Sequence, residues 1–246
     1  MIVEAGKNSK SLKNVIDYLK YKFKFASEHP DYFDADGLLV FVGAQGTGKT
    51  LSAVNYVYNL MKMYPNCILV TNLLLTGYEF DYKRVFPFKD NDDLMKYSNG
   101  EQGVIFLIDE IQLYLNSLES KNVNMEVMTQ IAQQRKQRKH IVTTSQVFGR
   151  MAKPLREQFS NVIVCKNFLG CIQINKLVDR DSLESDNSTG TDITGKVKKT
   201  FFWFHSPKMY GRYDTYYVIE RGKFVSGEDK KGDIYEYRDN KLSDNN

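Results

Sequence analysis

The first two thirds of the chain contain nearly continuous apolar runs at residues 38–42, 67–75 and 104–108. Continuous runs, as opposed to alternating apolar and polar residues, are typical of strands buried on both faces of a parallel sheet. An amphipathic segment follows the first run and stops at Pro65, as a helix would. This alternation predicts an α/β fold in which a mostly parallel sheet is flanked by helices. A ligand of such a sheet binds at the carboxyl ends of its strands.

The later part of the chain predicts further elements and a division into four parts. Residues 179–200 are rich in Ser, Thr, Asp and Gly, which indicates a mobile linker. The aromatic stretches after it are strand-like. Further elements are predicted as a helix at 123–135 and strands at 140–146, 161–168 and 171–178. The expected parts are an N-terminal helical flank at 1–36, the α/β core at 37–178, the linker at 179–200 and a small β-rich C-terminal appendage at 201–246.

Residues 10–28 have the pattern of a basic amphipathic helix, with apolar residues from Leu12 to Phe23 on one face and lysines elsewhere. Such a helix packs on the flank of a core. The alternative is a helix that binds a membrane surface or a partner.

Residues 43–50, GAQGTGKT, carry the first chemical signature, because they match G-x-x-x-x-G-K-[ST] between a predicted strand and a predicted helix. Glycines let such a loop curl so that its N–H groups and the positive end of the helix face phosphate oxygens. Lys49 is placed to reach the β- and γ-phosphates, and the Thr50 hydroxyl to bind Mg²⁺. The alternative is a glycine turn without a ligand. The predicted nucleotide-binding residues are Gly43, Ala44, Gln45, Gly46, Thr47, Gly48, Lys49, Thr50 and Leu51.

Asp109 and Glu110 close the third apolar run and form the second signature, about 60 residues after Lys49. Asp109 is placed to hold Mg²⁺ directly or through water, as a Walker B aspartate does. Glu110 is then the candidate base that orients and deprotonates the attacking water. An exposed acidic pair that only closes a strand is the alternative. With the phosphate loop, the pair predicts a RecA/ASCE-like P-loop NTPase that hydrolyses ATP with Mg²⁺.

The same residues narrow the class of NTPase. A base beside the Walker B aspartate favours hydrolysis over phosphoryl transfer to a small molecule, and no NKxD-type guanine motif is present. Gln146, at the end of the strand predicted at 140–146, is a candidate to sense the γ-phosphate or to position the water. A glutamine that only caps the strand is the alternative.

Composition and charge add further constraints. The chain has 246 residues, of which 42% are hydrophobic and 26% charged, as in an ordinary soluble globular protein. Its net charge is only +4, but residues 133–156 hold seven basic side chains and no acidic one. Cys67, Cys165 and Cys171 lie in apolar, strand-like stretches, so buried free thiols in a reducing cytoplasm are expected. The sequence shows neither a signal peptide nor an apolar stretch of about 18 residues.

A family resemblance rests on six segments: VFVGAQGTGKT, the VTN strand, FLIDEIQ, the QR-K-HIVTTSQ stretch, KPLREQF and YGRYDTYYVI. Together they resemble the FtsK/HerA-type P-loop ATPases, and among them the bacteriophage genome-packaging ATPases and the zonular occludens toxin-like branch. The resemblance covers residues 36–178 well and 200–220 loosely. The Walker signatures are shared by P-loop hydrolases in general, so the other segments carry the narrower resemblance.

The resemblance implies a ring-forming, ATP-driven translocase of double-stranded DNA, above all a viral genome-packaging motor. Such motors are homo-oligomeric rings of roughly five or six subunits that dock on a capsid portal or a similar partner and bind ATP between subunits. Filamentous-phage members carry a membrane-spanning helix, which this sequence lacks, so the packaging role and the host-cell cytoplasm are favoured. Two alternatives remain open: a zonular occludens toxin-like, membrane-associated phage assembly or secretion ATPase, and a nucleotide-binding module with little turnover.

The basic segment supplies the remaining candidates. Arg135 matches the family's arginine before the fourth core strand and is the first choice for an arginine finger acting on the neighbouring subunit, with Arg138 second. The alternative for this stretch is a solvated loop. A motor that moves along DNA needs sequence-independent phosphate contacts. The candidates for those contacts are Lys136, Lys139, Arg150 and Lys153.

Overall fold

A computed structural model describes the chain as an α/β protein built on one large mixed sheet. Among the described residues, the α-helices with defined bounds are α1 (Lys49–Met63), α2 (Asp93–Lys96), α3 (Lys153–Arg156) and α4 (Pro207–Tyr210). Single 3₁₀ turns include Ile111–Leu113 and Phe148–Arg150. The residues that the structure describes are 17–18, 20–21, 24–25, 27–29, 32–34, 37–77, 80–114, 131, 133–134, 136–146, 148–151, 153–179, 182, 184–185, 193–214.

Within the described part of the chain, the large sheet has eight strands in the order β10-β7-β6-β1-β5-β4-β2-β3, and β8 pairs with β9 outside it. All neighbouring strands from β6 to β3 pair in parallel. The strands are β1 (Leu38–Val42), β2 (Ile68–Thr71), β3 (Val85–Pro87), β4 (Val104–Ile108), β5 (Lys139–Ser145), β6 (Phe159–Phe168), β7 (Ile172–Val178), β8 (Glu184–Ser185), β9 (Ile193–Thr194) and β10 (Val197–Phe204). The predicted fold class is confirmed.

The three strands β1, β5 and β4 form the centre of the sheet, and every residue in them is buried. This explains the continuous apolar runs, since both faces of these strands are covered. One face packs under α1 through residues such as Phe41 and Val57. The opposite face packs on the turns and helix between residues 111 and 156, through residues such as Phe106 and Leu155. The carboxyl ends of β1, β5 and β4 therefore meet at one edge, with β5 in the middle.

Two antiparallel strands extend the sheet beyond β6. β7 pairs with β6 and β10 pairs with β7, so residues 197–204 are part of the same sheet as the phosphate loop. The domain boundary predicted at residue 200 thus falls inside β10, and the predicted linker includes the β8–β9 pair. Residues 215–246 of the predicted β-rich appendage lie outside the described residues.

The segment after β10 returns across the outer surface of α1. Arg212 is 7% exposed, donates from Nη1 to Oδ1 of Asn55 at 2.7 Å, and places its guanidinium 3.9 Å from the ring centroid of Tyr58. The main-chain carbonyl of Arg212 also accepts from the N–H of Thr76 at 2.9 Å. We call residues 205–214 the C-terminal strap. It attaches the middle of α1 to the end of the described chain.

Other expectations have mixed outcomes. The described residues between 17 and 28 are helical, whereas most of the helix predicted at 123–135 lies outside the described residues. Cys67 and Cys165 are buried free thiols, and burial raises their pKa values to about 11 and about 12. The prediction for Cys171 was wrong, because it lies in the turn between β6 and β7 and is exposed.

Candidate nucleotide-hydrolysis site

The predicted phosphate loop occupies the carboxyl end of β1 and leads directly into α1. Gly46 and Gly48 both have a φ of +78°, a conformation that glycine adopts without strain. The first turn of α1 contains no acidic side chain, so its positive end remains available to an anion. These features agree with the predicted cradle of backbone N–H groups.

Lys49 is 6% exposed and its ammonium is held inside the loop. Nζ donates to the carbonyl oxygen of Ala44 at 3.0 Å, and the Thr47 hydroxyl donates to the same oxygen at 2.7 Å. The ammonium is therefore poised over the concave side of the loop without a carboxylate partner among the described ion pairs. It can turn from a neutral carbonyl to a phosphate without first breaking a salt bridge.

The back of the phosphate loop rests on β7. Gln173 is fully buried, and its Nε2 donates to the carbonyl oxygen of Thr47 at 3.0 Å and to Oδ1 of Asn175 at 2.9 Å. A Cβ at Gly48 would lie 2.1 Å from Gln173 Oε1, so only glycine allows this approach. The antiparallel extension, which consists of β7 and β10, thus supports the phosphate loop through Gln173.

His205 completes this buried contact. Because Gln173 uses its amide N–H groups for two oxygen acceptors, its Oε1 must accept the hydrogen bond from His205 Nε2 at 3.2 Å. The imidazole therefore carries a proton on Nε2. In the neutral form its Nδ1 accepts from the Tyr210 hydroxyl, whose oxygen also lies 3.2 Å from the carbonyl oxygen of Gly170. Burial lowers the pKa of His205, which favours this neutral form.

Asp109 lies at the carboxyl end of β4 and meets hydroxyls from two other elements. The Thr50 hydroxyl donates to Oδ1 of Asp109 at 2.9 Å, and the Thr144 hydroxyl on β5 donates to the same oxygen at 2.6 Å. Burial is the largest influence on the pKa of Asp109 and raises it, while these two hydrogen bonds act in the opposite direction. Thr50 and Asp109, predicted from separate motifs, are thus brought together.

Asn72 fixes the backbone at Asp109. The N–H of Asp109 donates to Asn72 Oδ1 at 2.8 Å, and Asn72 Nδ2 donates back to the Asp109 carbonyl at 2.9 Å. Asn72 follows β2, which lies next to β4 in the sheet. These two hydrogen bonds extend the pairing of β2 and β4 beyond the ends of the strands and fix the backbone that carries the Asp109 carboxylate.

Glu110 has a backbone φ of +52°, which is an uncommon conformation for a residue other than glycine. Its N–H donates to the Thr144 hydroxyl oxygen at 2.9 Å. Gln146 Nε2 donates to one carboxylate oxygen at 2.8 Å, and Gln112 Nε2 donates to the other. The predicted base is therefore held at both oxygens, and Gln146 contacts it directly. Strained residues of this kind are frequent at functional sites.

The residues at this edge fit a bound Mg²⁺. Mg²⁺ prefers oxygen ligands and combines one or two carboxylates with water and substrate phosphates. Asp109 supplies the carboxylate and Thr50 the hydroxyl, 2.9 Å apart. Across the described part of the chain, no cluster of three His, Cys, Asp or Glu residues forms a separate metal site. A metal at Asp109 would therefore depend on the nucleotide for its remaining ligands.

Of the two predicted arginines, the structure describes Arg138, which lies away from this edge. Arg138 precedes β5, so it is at the amino end of the sheet, about 20 Å from the other end of that strand. Its guanidinium is 3.6 Å from the ring centroid of Tyr32 and donates to the carbonyl of Phe33 at 3.5 Å. Arg138 cannot serve the site of its own chain, and a role on a neighbour stays a prediction. Arg135 lies outside the described residues.

The predicted DNA contacts differ in accessibility. The prediction for Lys139 was wrong, because it is 4% exposed and its Nζ donates to the carbonyl of Leu94 at 2.6 Å. Lys136 is exposed. Lys153 is also exposed and lies 4.0 Å from the carboxylate of Glu157. For Arg150 the structure describes the backbone, in a 3₁₀ turn, and not the side chain.

Three comparisons place the chain among known proteins. The family model described as zonular occludens toxin (Zot) matches residues 38–208, whereas no curated protein matches. The N-terminal domain of zonular occludens toxin from Neisseria meningitidis is similar at a TM-score of 0.50 and 16% identity, over 72% of this chain and 98% of that one. The genome packaging NTPase B204 from Sulfolobus turreted icosahedral virus 2 has a TM-score of 0.41 and 13% identity, over 54% and 76%. The predicted resemblance to the zonular occludens toxin-like branch is confirmed.

The described part of the chain contains no helix that is both long and apolar enough to span a bilayer.

Proposed function

The chain belongs to the zonular occludens toxin (Zot) family, and we propose that it is an ATP hydrolase that drives the movement of DNA. One observation carries the proposal. The hydroxyls of Thr50 and Thr144 both donate to the same carboxylate oxygen of Asp109, and Glu110 is the next residue in the chain. In this proposal the loop at residues 43–50 is the phosphate cradle, Asp109 supplies an oxygen for a metal, and Glu110 is the base, all at one edge of the sheet. Fold similarity alone would not require any of these side chains.

The proposed chemistry follows from what each side chain can reach. Lys49 leaves the Ala44 carbonyl for the β- and γ-phosphate oxygens, and the loop N–H groups bind the remaining phosphate oxygens. Glu110 accepts a proton from the water that attacks the γ-phosphorus, while Gln112 and Gln146 hold its carboxylate in position. When bound at Asp109 and Thr50, Mg²⁺ neutralises charge that develops on the phosphate oxygens.

The leading role is a ring-forming translocase of double-stranded DNA that packages a viral genome. Lys49 is the only basic side chain that the described contacts place in the phosphate loop, so a second cation for the transferring phosphoryl group has to come from elsewhere. Arg135 of a neighbouring subunit is our first candidate, and Arg138 is the second. The exposed lysines Lys136 and Lys153 are the candidates for contacts to the DNA backbone. In this role the ring would dock on a capsid portal or a similar partner.

The second candidate role is a phage assembly or secretion ATPase of the zonular occludens toxin type. The family match over residues 38–208 favours it, since that match covers the whole hydrolysis site and both strands of the antiparallel extension. In this role the cargo is protein or single-stranded DNA. The two roles share the ATP site and differ in cargo.

The test is ATPase activity without DNA, with double-stranded DNA and with single-stranded DNA, across a salt series. The translocase role predicts that duplex stimulates hydrolysis and that stimulation fades as salt rises, because phosphate contacts are screened. Stimulation by single strands alone would favour the second role, and indifference to both would exclude DNA as the cargo. Lys49→Ala protein, which should not hydrolyse ATP, is the background control.

A mixing experiment tests whether an arginine of one subunit completes the ATP site of a neighbouring subunit. Arg135→Ala and Lys49→Ala proteins should each be inactive, and mixing them should restore part of the activity if the arginine acts on a neighbour. Absence of recovery at every ratio would reject Arg135 as a finger in trans. Arg138→Ala mixed in the same way tests the second candidate.

A further inference from the structure

The antiparallel extension has two faces with different surroundings. On one face, Gln173 and Asn175 point to the phosphate loop and α1. The other face continues the surface on which Val164 packs against the core. On this second face, cross-strand neighbours form two rows, Phe204–Ile172–Phe168 and Phe202–Ile174–Lys166. Directly opposed residues in an antiparallel sheet point to the same side, so each row lies on one surface.

The aromatic rings of these rows are exposed. Phe168, Phe202 and Phe204 are 55%, 67% and 72% exposed, although each lies in a regular strand. Phe202 and Phe204 are two residues apart on β10, and Phe168 is two strands away, so the rings are separated by roughly 7–10 Å. Exposed aromatic rings at this density are unusual for a surface without a ligand.

Two lysines lie on the same surface, and β6, β7 and β10 contain no acidic residue. The other two lysines of these strands do not add to it, because Lys199 lies opposite Leu177 on the face of Gln173 and Asn175, and Lys198 pairs with Asp179 at 2.9 Å. Lys166 lies in the second row, and Lys176 lies opposite Thr200 in the next. Neither of these two lysines makes an ion pair with a described residue. We call Phe168, Phe202 and Phe204, with Lys166 and Lys176, the aromatic platform.

We propose that the aromatic platform binds single-stranded nucleic acid, with bases stacked on the phenylalanine rings and phosphates near the two lysines. Flat sheet surfaces with exposed aromatic rings and neighbouring basic side chains bind unpaired bases in this way, largely without regard to sequence. Paired bases in a duplex do not offer their faces for stacking. The inference deepens the second candidate role, whose cargo includes single-stranded DNA, although binding to the platform requires neither ATP nor hydrolysis.

A second copy of the chain is a poorer occupant for this surface. A symmetric contact of the platform with itself would bring Lys166 and Lys176 against lysines of the other copy. The three strands offer no carboxylate to neutralise them. Nucleic acid supplies both the flat apolar surface and the negative charge that this face lacks.

The first test measures binding of a fluorescein-labelled dT oligonucleotide of about 20 nucleotides by fluorescence anisotropy, without nucleotide. Replacing both rings, Phe202→Ala with Phe204→Ala, should raise Kd at least about 30-fold, since each stacked base contributes substantially. The matched control replaces two equally exposed tyrosines, Tyr18→Ala with Tyr21→Ala, and should leave Kd unchanged. Circular dichroism and ATPase activity confirm that each variant is folded.

The second test separates stacking from simple apolar contact and from charge. Phe202→Leu with Phe204→Leu keeps an apolar surface but removes the rings, so it should still weaken binding. Lys166→Gln with Lys176→Gln should reduce the slope of log Kd against log salt by about 1.4, the value for two phosphate contacts on a single strand. Lys62→Gln with Lys83→Gln, at exposed positions elsewhere, should not change the slope.

Several outcomes would overturn the inference. Absence of oligonucleotide binding by the unaltered protein, or an unchanged Kd after loss of both rings, excludes the platform as a nucleic-acid site. Ring variants that change the mass in light scattering but not Kd would assign the surface to a second copy. Binding to anionic vesicles without binding to the oligonucleotide would assign it to a membrane. Lys49→Ala protein that still binds the oligonucleotide separates this inference from the ATPase, since a failure of hydrolysis leaves it intact.

Discussion

Gln173 donates a hydrogen bond from its side-chain amide to the main-chain carbonyl of Thr47, so a residue of the antiparallel extension holds the phosphate loop. The two residues are 126 positions apart. Gln173 is itself fully buried, and a Cβ at Gly48 would lie 2.1 Å from its Oε1. Nucleotide binding in this protein therefore depends on β7 as well as on the loop itself.

Gln173→Leu should weaken ATP binding more than it slows the bound complex. The substitution leaves the Thr47 carbonyl, Asn175 and His205 without their shared partner, at about 1–3 kcal/mol for each buried group left unpaired. KM for ATP should rise about tenfold, with a smaller change in kcat. Steady-state kinetics and thermal unfolding measure the two effects, with Gln158→Leu at an exposed position as control. Lower stability with an unchanged KM would mean that Gln173 has only a structural role.

Thr144→Val should slow hydrolysis and raise the Mg²⁺ concentration needed for half-maximal activity. The substitution removes the hydroxyl that both donates to Asp109 and accepts from the N–H of Glu110. A kcat about 10 to 100 times lower is expected, since a buried hydrogen bond to a charged group contributes about 1.5–3 kcal/mol. Thr143→Val is the matched control, because Thr143 is equally buried and donates to the Leu39 carbonyl at 3.2 Å, away from the site. Equal kinetic losses in the two variants would count against a role for Thr144 at Asp109.

Glu110→Gln should retain ATP binding and lose turnover by at least about 100-fold, as removal of a general base does. The shape of the side chain is preserved. One of Gln112 and Gln146 can still donate to the remaining oxygen, and the other has to turn its amide oxygen towards the new NH₂ group. Binding of a fluorescent ATP analogue and phosphate release distinguish the two steps. Glu101→Gln at an exposed position is the control. Near-normal turnover in Glu110→Gln would remove Glu110 from the reaction.

The free energy of unfolding should fall as pH rises from about 9 towards 11. Burial raises the pKa of Cys67 from 9.0 to about 11, and that of Cys165 to about 12. In this range the unfolded state has lost thiol protons that the folded state retains, so stability falls by about 1.4 kcal/mol per pH unit for each thiol. Urea unfolding across pH measures the slope. A Cys67→Ala, Cys165→Ala protein should show a flatter profile, and an equal slope would refute the assignment.

The sequence predicts the site best where one motif contains all the information. Residues 43–50 specify the loop through glycine spacing, and the Asp109–Glu110 pair follows a fully buried strand. The structure places Thr50 and Asp109 2.9 Å apart, as the two motifs together imply. Gln146 was predicted near the γ-phosphate, and the structure shows it donating to Glu110.

Residues that act across strands were not predicted. Asn72 and Thr144 each follow or end a buried strand, and polar residues at such positions are the signal that a sequence offers. Their partners depend on the order of strands, which periodicity does not provide. Gln173 could not be found at all, because alternation in a strand says which residues share a face and not what covers that face. Lys139 was misassigned for a related reason: a basic run does not reveal which lysine points inwards.

The C-terminal strap has a consequence for how this protein is made. Arg212 contacts Asn55 and Tyr58 in the helix that begins with Lys49, across 157 positions of chain. Contacts of such long sequence separation form late, because most of the chain has to be present first. While the chain is being synthesised from its N-terminus, the phosphate-loop residues leave the ribosome well before the residues that support them. The ability to bind ATP should therefore appear only after β7 and the strap have been synthesised and have joined the sheet and α1.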